Sequence, residues 1–186
     1  MVVAVKQVAF RLEFHSPFRV GAAYGEDGVD LTIDVDEPIP SDHIKGLMRF
    51  AAKNTLSLDQ TLVDRVFGSA STTSPWSWLA VEPEGDWGDP RLRNRTAIDE
   101  DTHAAKTDHL VFAHEIHSRA ATITIEQIGP IADTDLPTHV ALLRTSAAAI
   151  HALGGWRRRG LGWVSVNPDP PVDENDLKLL GWQGGM

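Results

Sequence analysis

The nine residues Gly154 to Gly162, G-G-W-R-R-R-G-L-G, constrain this chain more than any other stretch. Four glycines bracket a tryptophan and three consecutive arginines. Glycine permits positive φ and lets the backbone approach another group closely. The segment is therefore a turn and not the interior of a helix or strand. Arginine offers planar forks that match phosphate oxygens, and Trp156 offers a face on which a base can stack. The combination suits a loop that grips a nucleic-acid backbone. It also suits a basic surface turn between a helix and a strand, and so short a motif does not separate the two.

The rest of the chain supplies regular elements on either side. Val2 to Phe14 alternates and is rich in valine and phenylalanine, which predicts a strand with Phe10, Leu12 and Phe14 on one face. Gly21 to Asp36 predicts a loop followed by a short hairpin arm, from two glycines among carboxylates and then L-T-I-D-V-D. Ser41 is a candidate N-cap with Asp42 in the first turn, and Ile44, Leu47, Met48 and Ala51 continue at helical spacing to about Leu56. Asp59 to Val66 predicts a second short helix. Strands are expected at 76–81, 107–115, 121–127 and 161–166, with 82–95 irregular. Pro137 to Leu153 predicts a helix on the apolar stripe Val140, Leu143, Ala147, Ile150 and Leu153, stopped by Gly154. A last small helix is expected at 173–180. The sequence of elements, strand, helix, strand, strand, helix, strand, is the β-α-β-β-α-β order of an α+β, ferredoxin-like fold.

Composition narrows the function classes. A chain of 186 residues is long enough for one domain with a real core. No run of eighteen apolar residues exists to span a membrane as a helix, and Met1 to Phe10 does not read as a signal peptide. The absence of cysteine excludes disulfides, thiolate zinc sites and a cysteine nucleophile, and it fits a cytoplasmic protein. The net charge of −9 argues against a polyanionic partner, but the charge is segregated. Acid gathers in 26–37, 99–101 and 169–176. Base gathers at Lys45/Arg49/Lys53, Arg91/Arg93/Arg95 and Arg157/Arg158/Arg159.

Three segments in order carry a resemblance. I-P-S-D-H-I-K-G-L-M-R at 39–49 is similar to I-P-G-S-S-L-K-G-x-L-R. V-F-G-S at 66–69, R-N-R-T-A-I-D at 93–99 and F-A-H-E at 112–115 are similar to V-F-G, R-x-R-x-x-I-D and a phenylalanine-glutamate strand. The nonapeptide at 154–162 is similar to G-G-x-x-S-R-G-x-G. Together they resemble the RAMP superfamily of CRISPR effector complexes, and within it the backbone subunit of type III complexes. The resemblance implies a modified RRM-type fold over 1–186, with an inserted thumb hairpin around 84–120. It implies guide RNA (crRNA) and complementary target RNA as ligands, and other effector subunits and head-to-tail copies of the chain as partners. It also implies target cleavage by an aspartate in the loop after the first strand.

On that resemblance Ser41, His43, Lys45, Arg49, Arg93, Arg95, Trp156, Arg157, Arg158 and Arg159 are the candidate RNA contacts, and Asp30 is the candidate catalytic residue. Asp30 would bind a divalent ion or position a 2′-hydroxyl for attack on the adjacent phosphate, with magnesium or manganese the ions suited to oxygen ligands. No residue is assigned as a protein metal ligand. The family's I-D-x-P loop is matched here only by Val29-Asp30-Leu31, without the proline, and Ser41-Asp42-His43 and Arg158 depart from the family pattern. Two rival readings stay open. One is a structural subunit that binds guide RNA without cutting. The other is an unrelated ferredoxin-like enzyme using the Asp/His-rich region as a metal site.

Overall fold

A computed structural model describes residues 7–22, 25 and 27–182. Residues 2–6 of the expected first strand, and 23, 24 and 26 of the expected loop, lie outside the described residues. The architecture is α+β. The main sheet has the order β2-β6-β1-β7, formed by β2 (Trp76–Trp78), β6 (Ala120–Gln127), β1 (Gln7–Phe14) and β7 (Val164–Asp169), with β3 (Glu82–Pro83) also on β6. Every pairing is antiparallel. Strand β6 separates β2 from β1, and β1 separates β6 from β7. The two helical crossovers therefore each skip a neighbour, as in a split β-α-β unit.

The sheet has two unlike faces because strand side chains alternate. Val8, Phe10, Leu12 and Phe14 of β1, Ile123 and Ile125 of β6, and Val164 and Val166 of β7 point into the core. Against them pack Ile44 and Met48 of α1 (Ser41–Phe50), Val63 and Val66 of α2 (Gln60–Phe67), and Leu142, Leu143 and Ala147 of α3 (Leu136–Ala148). Each such aliphatic side chain contributes about 1.5–3 kcal/mol by leaving water. Trp76 and Trp78 also face inward, with Trp78 stacked on Phe67 at 5.6 Å. The opposite face is polar and open. It carries Gln7, Arg11, Glu13, Thr122, Glu126, Asn167 and Asp169, and no outward aromatic on β1, β2, β6 or β7. Acid outweighs base there, so this face is unsuited to an RNA strand.

Several expected boundaries move. Ser41 is not a side-chain cap: α1 starts at Ser41 behind Pro40, whose carbonyl already accepts the His43 N–H at 2.9 Å. After Phe50 the helix widens into a π-helical turn, Ala51–Thr55, so Lys53 leaves the regular stripe of Lys45 and Arg49. Asp59 does cap α2, accepting from Thr61 and Leu62 N–H. Helix α3 ends at Ala148, six residues before Gly154, so Gly154 is not its stop. Within the expected arm at 21–36, Ala22 N–H donates to Thr32 O at 3.0 Å, and Leu31 pairs in parallel with Ala113 of the hairpin. Residues 82–95, expected to be irregular, contain β3 and β4 (Arg91–Arg95). Strand β4 joins β5 (Val111–Glu115) in a two-stranded hairpin outside the main sheet. A last helix, α4 (Glu174–Leu179), opens on an Asp173/Asp176 capping box.

The glycine-rich turn is pinned by the chain itself. Leu153 N–H donates to Gly162 O at 2.8 Å, and Gly162 N–H donates to Pro17 O at 2.7 Å. Gly162 has φ +73°, and a Cβ there would stand 1.9 Å from Leu153 O. Gly160 has a similar φ of +82° but open space around it. Gly162→Ala should therefore lower the unfolding free energy by at least about 2 kcal/mol, and Gly160→Ala by only about 1 kcal/mol. Urea midpoints of the two variants test this, and equal midpoints would refute the pinch.

Candidate nucleic-acid interface

The segment after β1 organises the site. Phe18 exchanges backbone hydrogen bonds with Ile116 at 2.8 and 2.9 Å, which fastens the foot of the β4–β5 hairpin. Trp87 packs edge-on against Phe14 and Phe18 on the same side. Next in sequence, the Arg19 carbonyl accepts the Gly155 N–H at 2.8 Å. A Cβ at Gly154, φ +71°, would meet that carbonyl oxygen at 2.1 Å. The close approach that glycine permits is thus to the protein's own backbone, where the sequence suggested a ligand. Beyond it Trp156 takes φ +56°, and Arg157–Arg159 form a single 3-10 turn with all three side chains exposed.

His43 ties α1 to this loop. Its Nε2 accepts the Gly154 N–H at 3.0 Å. That bond requires the neutral ring with its proton on Nδ1, so Nε2 is not available to donate to phosphate as the sequence reading expected. Burial, and then the nearby Arg157 charge, hold the His43 pKa below the ordinary histidine value. His139 is also depressed, by burial first and then by Arg65. Its Nδ1 accepts the Trp76 indole N–H at 3.2 Å.

The structure sorts the expected basic residues into two groups. Arg49 bonds to Asp64 of α2 at 2.8 Å, and Arg93 pairs with Glu115 across the hairpin, so both charges are neutralised internally. Lys45 lies with Nζ 4.9 Å from the centre of the Trp78 ring. Arg95, Arg157, Arg158 and Arg159 make no ion pair with a described residue. Arg95 reaches from the hairpin to the glycine-rich loop, its guanidinium carbon 5.0 Å from the Trp156 ring centre. Arg19 approaches the same ring at 5.6 Å. Hairpin, loop and post-β1 segment thus converge on Trp156 with uncompensated positive charge. Ser41, at the start of α1, is half-buried and makes no cap bond. Trp163 is 60% exposed at the edge of β7, apart from the core.

Sequence reasoning missed Arg19. Its one local signal is an arginine set between Phe18 and Val20, an apolar setting unusual for a solvated cation.

Asp30 lies elsewhere, at the hairpin. Its Oδ2 accepts the Phe112 N–H at 2.8 Å, and its own N–H donates to Phe112 O at 2.9 Å. It borders an open depression of about 640 Å³ lined also by Asp27, Asp108, Leu110 and Phe112. Among the described residues no three His, Asp or Glu side chains stand close enough to hold a metal ion. Magnesium is commonly held by one or two carboxylates together with phosphate oxygens of the substrate, and Asp27, Asp30 and Asp108 face this depression.

The sequence model of the RAMP superfamily matches residues 11–165. The chain belongs to the RAMP superfamily. Its fold is similar to two solved chains. One is from a cryo-EM structure of the Type III-B Cmr-beta in its apo state, with a TM-score of 0.67 and 12% identity over 90% of this chain and 98% of that one. The other is from Type III-B Cmr-beta bound to cognate target RNA, with a TM-score of 0.61 and 13% identity. The latter match covers 88% of this chain but only 59% of the other. No curated relative matches the chain.

The histidine geometry sets a pH dependence. Both folded-state values lie below the unfolded value near 6.5, so the unfolded chain binds more protons on acidification. Their stabilising bonds are fully present above about pH 6.5 and weaken as pH falls below it. A chemical-denaturation series from pH 7.5 to 5 should show falling stability, and His43→Gln/His139→Gln should flatten the profile. NMR titration should place the His43 pKa below the ordinary value and raise it in Arg157→Ala. An unmoved His43 would exclude an effect of the Arg157 charge on this ring.

Proposed function

We propose that this chain is an RNA-binding backbone subunit of a type III CRISPR effector complex, holding guide RNA against the glycine-rich loop. The observation that carries the reading is the meeting of Arg95, Trp156 and the Arg157–Arg159 turn without a neutralising carboxylate. Superfamily membership and the likeness to Cmr-beta chains, one of them in a structure with target RNA, support it. The backbone of the RNA would be read as charge and shape, and Trp156 and Trp163 would meet bases or a neighbouring subunit. The β4–β5 hairpin takes the part of a thumb on a ferredoxin-like palm. The open sheet face is acidic and this site basic, and such charge complementarity suits head-to-tail contact between copies along one RNA.

The contrast between paired and unpaired arginines supplies the test. Arg157→Ala with Arg159→Ala should weaken binding to RNAs of different sequence alike and flatten the salt slope by about 1–2 units. Arg49→Ala should change the slope far less, because its charge is spent on Asp64. Equal effects of the two changes in a filter-binding series would remove the loop from the interface.

A second reading adds target cleavage at Asp30. It is favoured by the bond to Phe112 N–H, which fixes the carboxylate at the rim of an open depression. Asp30 would take the proton of a 2′-hydroxyl as its oxygen attacks the adjacent phosphorus; the P–O5′ bond then breaks, leaving one product with a 2′,3′-cyclic phosphate and the other with a 5′-hydroxyl protonated by water. In the assembled complex Asp30→Ala should then cut about 10²–10⁴-fold more slowly while binding target nearly as before. Cleavage that survives this change excludes Asp30, and a wild type that binds without cutting leaves the structural subunit as the function.

A further inference from the structure

Two arginines of this chain are buried to nearly the same degree, and they are treated in opposite ways. Arg144, 8% exposed, donates from Nη1 to Asp176 at 3.1 Å, from Nε to Pro170 O at 3.0 Å and from Nη2 to Pro171 O. Arg19 is also 8% exposed, yet it forms no ion pair with a described residue. Its buried Nε has no hydrogen-bond partner, and among the described residues the one other buried side-chain polar atom left so is Thr145 Oγ1. Desolvation pushes its pKa down from the ordinary arginine value, but a guanidinium stays charged at any pH the protein meets.

A buried, unpaired charge is costly to hold. The Trp156 ring 5.6 Å away offsets part of that cost. The Arg95 guanidinium lies over the same ring, 5.0 Å from its centre, so a second cation stands beside the site. Two glycine backbones border the guanidinium, one on each Nη. A Cβ at Gly155 would lie 3.1 Å from Nη1, and one at Gly21 would lie 3.4 Å from Nη2. Gly21 itself is exposed.

We propose that Arg19 is the floor of an anion pocket that takes one phosphodiester of the bound RNA strand. The Nε–H and one Nη–H form the fork for its two non-bridging oxygens, and Arg95 is the second cation. Trp156 holds the guanidinium plane, and the exposed backbone of Gly21 moves aside to admit the phosphate. This site rests on the RNA-binding reading above and adds to it a buried contact that the exposed arginine turn does not provide.

The test uses the full chain, a single-stranded RNA of about twenty nucleotides and a salt titration. Arg19→Met should weaken binding about ten- to a hundredfold and flatten the salt slope by about 0.7 unit, the expectation for one lost phosphate contact on a single strand. Without RNA its Tm should hold or rise, because a buried unpaired charge is gone. Arg19→Lys should restore the slope but not the affinity, since lysine lacks the fork. A lower Tm with unchanged affinity and slope would make Arg19 a purely structural stacking partner and overturn the proposal. Should Arg19→Met not fold, the Arg19 Nε–H resonance of the wild type decides: a shift and slower exchange on adding RNA supports the site, and no change at saturation overturns it. Binding that responds to Arg157→Ala/Arg159→Ala but not to Arg19 sinks this inference alone. A wild type that binds no RNA sinks both readings.

Discussion

The backbone of Pro17, Phe18 and Arg19 is the seam on which the site depends. Within three residues it accepts the Gly162 N–H, exchanges bonds with Ile116 at the foot of the hairpin and accepts the Gly155 N–H. Two parts of the chain separated by nearly forty residues of sheet and helix are thereby held to one short segment. Neither would keep its place through side chains alone. Gly154 and Gly162 are required because any Cβ would strike a carbonyl oxygen at about van der Waals overlap, at 2.1 and 1.9 Å. Backbone-to-backbone pinning of this kind tolerates almost no displacement, so it fixes Trp156 and the arginine turn relative to Arg95 far more tightly than the exposed side chains could.

An acidic protein can still present a binding surface for a polyanion if it spends its basic residues unevenly. Here Arg49 and Arg93 are consumed by Asp64 and Glu115, and Arg144 by Asp176. These pairs serve the packing of helix on helix and strand on strand. Among the cations that make no ion pair with a described residue are Arg19, Arg95 and the Arg157–Arg159 turn, all gathered at Trp156. Acid is kept on the open sheet face through Glu13, Glu126 and Asp169. Local potential depends on which charges remain unpaired within about a Debye length, so the net charge of −9 says little about this face. His43 belongs to the same economy: burial, and then the Arg157 charge, favour the neutral ring, whose Nε2 accepts the Gly154 N–H.

Element type and order, and the core residues of the long elements, were legible in the sequence. Phe10, Leu12 and Phe14 alternate inward as their spacing predicts, and the α3 stripe is largely buried, because periodicity reports which face leaves water. The anchoring of the arm expected within 21–36 was not, since Leu31 finds its partner 82 residues away in Ala113 and no local pattern records that. The stop assigned to Gly154 failed for a related reason. That glycine answers to the Arg19 carbonyl across the fold, not to the helix before it.

The sequence by itself determined the α+β class, the family, and the fact that three basic clusters and a glycine-arginine turn had to be accommodated. Only the tertiary structure decided which of those cations are free. Ion pairing is a contact between residues distant in the chain, so Arg49 and Arg95 look alike in sequence and differ wholly in the fold. The same holds for Arg19, unremarked beside three consecutive arginines. Its burial without a counter-ion exists only once Gly21, Gly155 and Trp156 have closed around it.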